Sequence, residues 1–495
     1  MNLTKFFIDQ HGCAKNQTDG EILAGYLIKN GFELTENPLQ ADFIIVNSCG
    51  FIESAKKESI DAVYSIKNSY PNAKIILAGC LAERYAQMFY DSMPEIDGIF
   101  GNGDLSKIVD FMKSVQNGGR SVQTFEQKGV CGGERPVLFN FPASAFVKIT
   151  EGCSNHCSFC AIPLIRGELR SRPVSKIIEE IKSLVQDGIY EINLIGQDLA
   201  AYGTEKTFSD SLIQNNPFKS PLSLLFSEIS RIPGDFIIRP LYIHPDHFSE
   251  DILEPMQKDS RFVPYFDIPF QSGDDKIILT MNRTGSKKQY QNLVEKIRQK
   301  LPDAVLRTTF LTGFPGETQK AADNTYDFLR TIQPDWSGCF TYSREEDTPA
   351  YDMKPRVPAK IAKKRAEALE ELQTSITSKK LESYVGKEFD VLIEEIINSA
   401  QTEQSLTVQN ESSAESFDNE ETEGLAIGRA WFQAPEVDGC VVIRYDLDCE
   451  EQKKAVKPGN VVRVKIVANT GVDLDSRFEK IIKEFPQNQL RKFTL

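Results

Sequence analysis

A strand-like run, Ala145-Phe-Val-Lys-Ile149, leads into the cysteine-rich loop Cys153-Ser-Asn-His-Cys157-Ser-Phe-Cys160. Thiolates hold iron–sulfur clusters, and a cube of four irons ordinarily uses four of them. This loop offers three, and no cysteine follows within the next hundred residues. One iron is therefore expected to stay open, and an open metal position is where a cofactor or substrate coordinates. The loop predicts a 4Fe–4S cluster used for catalysis rather than for electron storage.

His156 raises an alternative to the cluster, a structural zinc site in which this histidine is the fourth ligand. Zinc in structural sites prefers four closed tetrahedral ligands. His156 is adjacent to Cys157, and adjacent residues rarely chelate one tetrahedral ion. The spacing therefore favours the cluster over zinc.

Three further cysteines lie in the first part of the chain, each just beyond a predicted strand. The strands cover about 6–8, 43–46 and 74–77, and they lead to Cys13, Cys49 and Cys80. Helices are predicted over about 19–29 and 53–67, and a third from near Glu83. Apolar strands that alternate with helices favour a parallel sheet, and ligands bind at the carboxyl edge of such sheets. The three cysteines are therefore expected to converge in space.

The chain after the cysteine loop continues as strand–helix units and ends in a β-rich tail. Further strands are predicted over about 191–195, 236–243, 265–270, 305–311 and 336–342, with helices such as 174–186 and 286–300 between them. Six units predict a partial (β/α)6 barrel, closed by a long helix over about 359–383. The tail has strand-like runs near 389–393 and 461–467, which predict a small β-barrel.

These regions give the predicted domain boundaries. An N-terminal parallel-sheet α/β domain covers 1–118, a linker 119–142, the partial barrel 143–383 and the small β-barrel 384–495. Within the tail, about 394–424 is rich in Ser, Thr, Asn, Gln and Glu and holds no Lys or Arg. Such a stretch buries too little apolar surface to order itself, so a disordered acidic insert is predicted there.

Composition and charge narrow the class of protein. No apolar run is long enough to span a bilayer, and the N-terminus lacks a secretory pattern, so a cytoplasmic location without a membrane partner is expected. The net charge of −14 at pH 7 lowers the expectation of a nucleic-acid partner, because phosphates demand cations. Ten cysteines in such a chain favour metal or redox chemistry over disulfides.

The cysteine loop after the first strand of a partial barrel resembles the radical S-adenosylmethionine (SAM) enzymes. The resemblance implies that the amino and carboxylate groups of SAM bind the open iron. Reductive cleavage of SAM then gives a 5′-deoxyadenosyl radical that abstracts a hydrogen from the substrate. In such enzymes the cofactors do the difficult chemistry and the protein positions them.

The order of the three regions is similar to that of the methylthiotransferases among these enzymes, and the tail resembles a TRAM domain. The local runs His11-Gly-Cys13-Ala-Lys-Asn16, Val46-Asn-Ser-Cys49-Gly-Phe-Ile52 and Ala78-Gly-Cys80 carry this resemblance. It implies a second 4Fe–4S cluster held by Cys13, Cys49 and Cys80, also with an open iron. That cluster is implied to carry the sulfur to be inserted, which one SAM methylates while another supplies the radical.

Two branches of this family act on different substrates. The RimO type modifies the β-carbon of an aspartate in small-subunit ribosomal protein S-twelve, and the MiaB type modifies an adenosine in tRNA. Tyr242-Ile-His-Pro-Asp246, Tyr265-Phe-Asp-Ile-Pro269 and Ala434-Pro-Glu-Val-Asp-Gly439 resemble the RimO type, whereas Gln271-Ser-Gly273 is closer to the tRNA branch. The resemblance implies ribosomal protein S-twelve as partner, free or in the ribosome, with an electron donor and a sulfur donor that are both unidentified. A tRNA substrate stays the alternative.

The charge of the tail supports the protein substrate without deciding it. Residues 386–495 carry 13 Lys+Arg against 21 Asp+Glu, and nine of these acids lie in the predicted insert. An RNA-reading tail is expected to be basic, and an acidic one suits a basic ribosomal protein better. Without the insert the tail is close to neutral.

Candidate SAM contacts lie at predicted strand ends. The resemblance implies a SAM-contacting loop at Gly313-Phe-Pro315-Gly316-Glu317, although Pro-Gly is also an ordinary turn signal. Gln197 and Asp198 end a strand at the same barrel edge, where an acid suits the SAM ammonium and a helix cap is the alternative. Arg166 suits a carboxylate or belongs to a solvated surface cluster. His244 and His247 are predicted to be structural.

A different class of protein fits the same cysteines. An electron-transfer or scaffold protein would hold two clusters without SAM chemistry. The two classes differ in whether an iron is open to SAM.

Overall fold

The N-terminal domain is built on a sheet whose central strand is completely buried. A computed structural model of the chain describes residues 3–397 and 423–485. All six residues of the central strand β3 are buried, as expected for a parallel strand covered by helices on both faces. The sheet has the order β2-β1-β3-β4-β5-β6 and is parallel throughout, which confirms the predicted parallel-sheet domain. Its strands are β1 (Lys5–Gln10), β2 (Glu33–Leu34), β3 (Phe43–Ser48), β4 (Lys74–Gly79), β5 (Gly98–Phe100) and β6 (Ser121–Gln123), and its helices are α1 (Ala14–Lys29), α2 (Glu53–Ser69), α3 (Cys80–Ser92) and α4 (Ile108–Gln116).

Two of these helices begin earlier in the chain than predicted. Helix α1 begins directly after Cys13, whose carbonyl oxygen accepts hydrogen bonds from the N–H groups of Asn16 (2.8 Å) and Gln17 (3.0 Å). Helix α3 begins at Cys80 itself. The first turns of α1 bury polar side chains, and hydrophobic periodicity marks a helix only where its buried face is apolar.

Six parallel strands form the central domain, in two groups of three. The orders are β11-β10-β7 and β12-β13-β14, and a parallel bridge between Ile238 and Phe262 links the groups. This arrangement confirms the partial barrel. The strands are β7 (Ser144–Lys148), β8 (Thr150–Glu151), β9 (Arg170–Ser171), β10 (Glu191–Ile195), β11 (Ile237–Pro240), β12 (Tyr265–Asp267), β13 (Val305–Thr312) and β14 (Trp336–Thr341), of which β8 and β9 form a separate short antiparallel pair. The helices are α5 (Ile162–Arg166), α6 (Val174–Gln186), α7 (Ser211–Gln214), α8 (Pro221–Ile229), α9 (Leu253–Lys258), α10 (Asp275–Thr280), α11 (Lys287–Lys300), α12 (Gln319–Ile332) and α13 (Ala359–Glu382).

The tail folds into a closed five-stranded barrel in the order β15-β16-β17-β19-β18, as predicted. Most of the predicted acidic insert, residues 398–422, lies outside the described residues, while its ends belong to β15 and β16. The elements are β15 (Glu388–Ile397), β16 (Glu423–Ala430), β17 (Val441–Asp446), α14 (Glu450–Ala455), β18 (Val461–Asn469) and β19 (Leu474–Lys483).

Apolar and ionic contacts join the three regions. Strand β6 lies within the stretch predicted as a linker and extends the first sheet. Ala14 of α1 packs in one apolar cluster with Phe146 and Tyr265 of the central barrel and Val391 of the tail. None of the helices that the structure describes is both long enough and apolar enough to cross a membrane.

Candidate functional site

The N-terminal cysteines lie at the carboxyl ends of β1, β3 and β4, which are neighbours in the sheet. Cys13 precedes α1, Cys49 follows β3 and Cys80 opens α3. A Cβ on Gly12, which has φ +86°, would lie 3.0 Å from Cys49 Cβ, and one on Gly50 would lie 2.8 Å from the Cys80 carbonyl oxygen. The two glycines thus allow the three loops to approach, and the cysteines meet at one edge of the sheet.

The thiols of this triplet differ in their electrostatic surroundings. Burial raises the pKa of Cys49 to about 11 and that of Cys80 to about 12. Burial also acts to raise the pKa of Cys13, but the cations of Lys15 and Arg166 outweigh it, so this pKa is lowered. As whole residues, Cys80 is buried, Cys49 is half-buried and Cys13 is exposed. Thiols become thiolates when a metal replaces the proton, so the donor set suits a metal group.

The second cysteine triplet, Cys153, Cys157 and Cys160, occupies the loop between β8 and α5. The Cys160 N–H donates to the Cys157 carbonyl oxygen (3.0 Å), and the Cys153 N–H donates to that of Gly167 (3.1 Å). Burial raises the pKa of Cys153 to about 12 and also raises that of Cys160, to which the Cys157 thiolate adds. The hydrogen bonds fold the loop back on itself, and its thiols lie close enough for the charge of one thiolate to raise the pKa of the others.

The three thiols of neither triplet lie as close together as a single zinc ion requires. Zn–S bonds of about 2.3 Å place tetrahedral sulfurs about 3.8 Å apart. In the part of the chain that the structure describes, three His, Cys, Asp or Glu ligand atoms lie within 4.8 Å of one another only at Asp198, His244 and His247. In neither cysteine triplet do all three sulfur atoms lie within 4.8 Å of one another. His156 is exposed. The arrangement does not form a closed zinc site, and the clusters at both triplets stay predictions.

Arg166 connects the two triplets. It ends α5, which begins two residues after Cys160, and its Nη2 lies 3.1 Å from Cys80 Sγ. Cys80 also packs against Ala161 and Ile165 on the same helix. Helix α5 therefore spans from the second cysteine loop to the first triplet.

A buried ion network surrounds this connection. Arg166 Nη1 donates to Asp19 Oδ2 (2.8 Å) and to Glu151 (3.2 Å). Lys148 Nζ donates to Asp19 Oδ1 (2.5 Å) and Glu151 Oε2 (2.6 Å). None of these four side chains is more than 2% exposed. Because Asp19 lies on α1 and the other three belong to the central barrel, the network fixes one domain against the other.

Asp198 organises the wall of a cavity next to Cys153. The cavity has a volume of about 550 Å³ and is lined by Cys153, Asn155, Asp198 and His247 among others. Asp198 Oδ2 accepts from Asn155 Nδ2 (2.9 Å) and lies 2.8 Å from His247 Nδ1, and Oδ1 accepts from the His244 N–H (3.1 Å). Asp198 also caps the following turn by accepting from the Ala200 N–H (2.9 Å). The acid therefore both caps a turn and faces a cavity beside the cysteine loop.

The other predicted SAM contacts lie in two places. Phe314 meets Phe159 of the cysteine loop edge to face at 6.5 Å, which brings the loop of Gly313, Pro315, Gly316 and Glu317 alongside the second triplet. Glu317 accepts from the Gly313 N–H (2.7 Å) and from Arg365 (2.7 Å). Gln197 donates to Glu151 (2.9 Å). Their contacts with SAM, and that of Arg166, stay predictions.

Sequence reasoning missed four buried charged residues of the site. They are Lys15, Asp19, Lys148 and Glu151. A signal was present at Lys148, a lysine inside the otherwise apolar strand Ser144–Lys148 and its flank, because a charge in a buried strand requires a partner. The partner Asp19 lies 129 residues away, so no local pattern could identify it.

Comparison with known families assigns each region. The family described as "Uncharacterized protein family UPF0004" matches residues 5–101, the "Radical SAM superfamily" matches 147–329 and the "TRAM domain" matches 415–478. These matches coincide with the parallel sheet, the partial barrel and the closed tail barrel.

Curated relatives match along nearly the whole chain. The ribosomal protein uS12 methylthiotransferase RimO of Treponema denticola is 49% identical, with 95% of this chain and 99% of the relative covered. The RimO of Natranaerobius thermophilus is 37% identical, with 94% and 96% covered. Among solved structures, the radical SAM methyltransferase TsrM from Kitasatospora setae has a TM-score of 0.50 at 13% identity, with 71% of this chain and 74% of that chain covered, and it shows the shared fold. The chain belongs to the RimO family of methylthiotransferases within the radical SAM superfamily.

Proposed function

We propose that this protein is a radical SAM methylthiotransferase that inserts a methylthio group at the β-carbon of an aspartate of ribosomal protein uS12. The observation that carries the proposal is the pair of cysteine triplets joined by Arg166, because sulfur insertion needs a sulfur carrier next to a radical source. Relatives named as uS12 methylthiotransferases support the substrate. A tRNA substrate has no comparable support.

The cofactors follow from the two triplets. Cys153, Cys157 and Cys160 would hold the 4Fe–4S cluster that binds SAM. Cys13, Cys49 and Cys80 would hold a second 4Fe–4S cluster, because they lie together at the carboxyl ends of three neighbouring strands and the cations of Lys15 and Arg166 favour a thiolate at Cys13. When bound, the cluster at Cys153, Cys157 and Cys160 would supply the radical with SAM, and the cluster at the N-terminal triplet would supply the sulfur.

The chain's own residues orient and shield these groups. Arg166 donates toward Cys80 and places a fixed positive charge beside the sulfur ligand, while Asp19 and Glu151 hold the guanidinium. Asp198 and His247 shape the cavity next to Cys153, where we expect SAM to bind. Lys148, Asp19, Glu151 and Arg166 are themselves closed to water between the two triplets.

The proposed reaction also requires an electron donor and a sulfur donor. An electron donor must reduce the SAM-binding cluster, and a sulfur donor must replenish the other after turnover. We place the protein in the cytoplasm, where ribosomal protein is accessible and free thiols persist.

The substrate is tested by incubating the loaded enzyme with SAM, a reductant and sulfide, and separately with uS12 or with tRNA. We expect the methylthio mass shift on the uS12 peptide that carries the target aspartate. A peptide with asparagine at that position is the matched control and should stay unmodified. Modification of tRNA with the uS12 peptide untouched would contradict the proposed substrate.

A further inference from the structure

Lys15 is a buried cation that finds no hydrogen-bond acceptor among the described residues. It is the second residue of α1, directly after Ala14, and is 8% exposed. Within residues 3–397 and 423–485 its ammonium forms no hydrogen bond and no ion pair, and it lies 2.9 Å from the centroid of the Tyr242 ring. Burying a charge is costly unless a partner compensates for it. An aromatic face compensates partly, which leaves the three N–H donors available for an anion.

The Lys15 ammonium lies between the N-terminal cysteine triplet and the carboxyl ends of the barrel strands. Lys15 follows Cys13 by two residues, and its side chain crosses from the N-terminal domain to Tyr242, just beyond the carboxyl end of β11. The carboxyl ends of barrel strands are where active sites of such folds lie. The cation is therefore held between the sulfur-bearing triplet and the barrel mouth.

The residues around Lys15 keep it unpaired. Asp267 ends β12 on the barrel side, but no ion pair within 4.0 Å joins it to Lys15; its nearest cation is Arg307, 3.9 Å away. Arg307 in turn is bound by Asp438 (3.0 Å). Tyr242 has φ +65°, a conformation that bulky residues rarely adopt and that the surrounding structure must enforce. The protein thus maintains a strained tyrosine under an ammonium that, among the described residues, forms no ion pair with a carboxylate.

We propose that the Lys15 ammonium binds the side-chain carboxylate of the target aspartate and so selects an acidic side chain over a neutral one. This inference rests on the proposed function, in which the reacting β-carbon is bonded directly to that carboxylate carbon. Binding the carboxylate at Lys15 fixes the β-carbon beside the first triplet. Tyr242 holds the ammonium in place before the substrate arrives.

The test measures the binding of two peptides to the enzyme loaded with both clusters and SAM. The probes are a synthetic peptide around the target aspartate of uS12 and the same peptide with asparagine, read by fluorescence anisotropy. The wild type should bind the aspartate peptide about ten- to a hundredfold more tightly, the range for a hydrogen bond to a charged group. Lys15→Met should bind both peptides alike, at the level of the asparagine peptide.

Two further variants make the result decisive. Lys15→Arg keeps the positive charge and should restore most of the preference. Lys29→Met removes an exposed lysine from the same helix and should leave the preference unchanged. Retained preference in Lys15→Met, or an Arg variant that behaves like the Met variant, would overturn the role of Lys15. If the wild type binds both peptides alike but still modifies the aspartate peptide, the role of Lys15 is overturned and the proposed function stands. If the wild type neither binds nor modifies the aspartate peptide, both are overturned.

Discussion

Arg166 Nη2 lies 3.1 Å from Cys80 Sγ, and through this contact a helix of the central barrel reaches a cysteine of the N-terminal domain. The same guanidinium is held by Asp19 and Glu151. The two halves of the site are therefore assembled as one unit. A substitution at Arg166 should affect metal binding at the N-terminal triplet, although that triplet is distant in sequence.

Arg166→Gln should lower the iron bound by the N-terminal triplet. Removing the guanidinium leaves Lys148 as the one cation hydrogen-bonded to Asp19 and Glu151 among the described residues, and breaking a buried ionic network costs about 3–5 kcal/mol of stability. Iron and sulfide analysis should show partial loss, while cleavage of SAM at the second triplet persists. Arg231→Gln, which changes an exposed ion pair, is the control. An unchanged iron content with weakened SAM binding would instead make Arg166 a SAM contact.

Asp198→Asn should weaken SAM binding without loss of iron. The carboxylate accepts through both oxygens, Oδ2 from Asn155 and His247 and Oδ1 from the His244 N–H. An amide has one acceptor oxygen, so one set of donors loses its partner and the cavity wall next to Cys153 should rearrange. We expect the Kd for SAM to rise about tenfold, equivalent to one charge-assisted hydrogen bond, measured by equilibrium dialysis. Asp327→Asn on the exposed face of α12 is the control. If SAM affinity stays the same, Asp198 does not shape the SAM site.

Glu191→Gln should loosen the tail barrel from the central barrel. Glu191 Oε2 accepts from Arg429 Nη2 (2.7 Å) and Oε1 from Arg239 Nη2 (2.9 Å), all buried. Among the described residues, the neutral amide would leave Arg239 without a carboxylate and Arg429 with Glu394 alone, with an expected loss of about 3–5 kcal/mol in the free energy of unfolding. Urea denaturation measures it, and Glu250→Gln at an exposed pair is the control.

The same residue predicts a pH dependence with a defined sign. The two arginines hold the pKa of Glu191 well below its usual range although burial opposes them. The carboxylate therefore contributes stability above its ordinary pKa, and this contribution is lost as the pH falls toward the lowered value. The gap in stability between the wild type and Glu191→Gln should narrow in acid. A gap that does not change with pH would contradict this account.

For Glu83 we expect a dependence of stability on pH with the opposite sign. Burial raises the pKa of this carboxyl group from 4.5 to about 7, although Asn102 donates its N–H to it. The folded protein therefore binds the proton more tightly than the unfolded chain, and stability falls as the pH rises from 4.5 to about 7. Glu83→Gln should be more stable than the wild type at pH 8 by on the order of 2–3 kcal/mol, and equal to it near pH 4. Thermal unfolding across this range tests it, with the exposed Glu53→Gln as control.

Local patterns predicted the fold well where one segment carries its own signal. Strand β10 and helix α6 begin and end at the predicted residues, because an apolar run and an amphipathic period mark them. Helix α1 was predicted five residues too short at its start, since its first turns bury polar groups against another domain. Such burial depends on tertiary contacts that no local pattern contains.

The candidate site was predictable in its cysteines but not in the charges around them. The position of each cysteine after a strand indicated that the N-terminal three would converge. Arg166 was recognised as close to the cysteine loop, but its partners Asp19 and Cys80 lie 147 and 86 residues away. Only the packing of α5 against the N-terminal domain identifies them.

The most direct test of the account counts iron in the variant Cys13→Ala, Cys49→Ala, Cys80→Ala. The loaded wild type should hold about eight irons per chain, as two 4Fe–4S clusters require. The variant should hold about four, still cleave SAM to 5′-deoxyadenosine on reduction, and transfer no methylthio group to uS12. A variant that keeps about eight irons, or one that still forms the methylthio product, would contradict the assignment of a second, sulfur-carrying cluster to the N-terminal triplet.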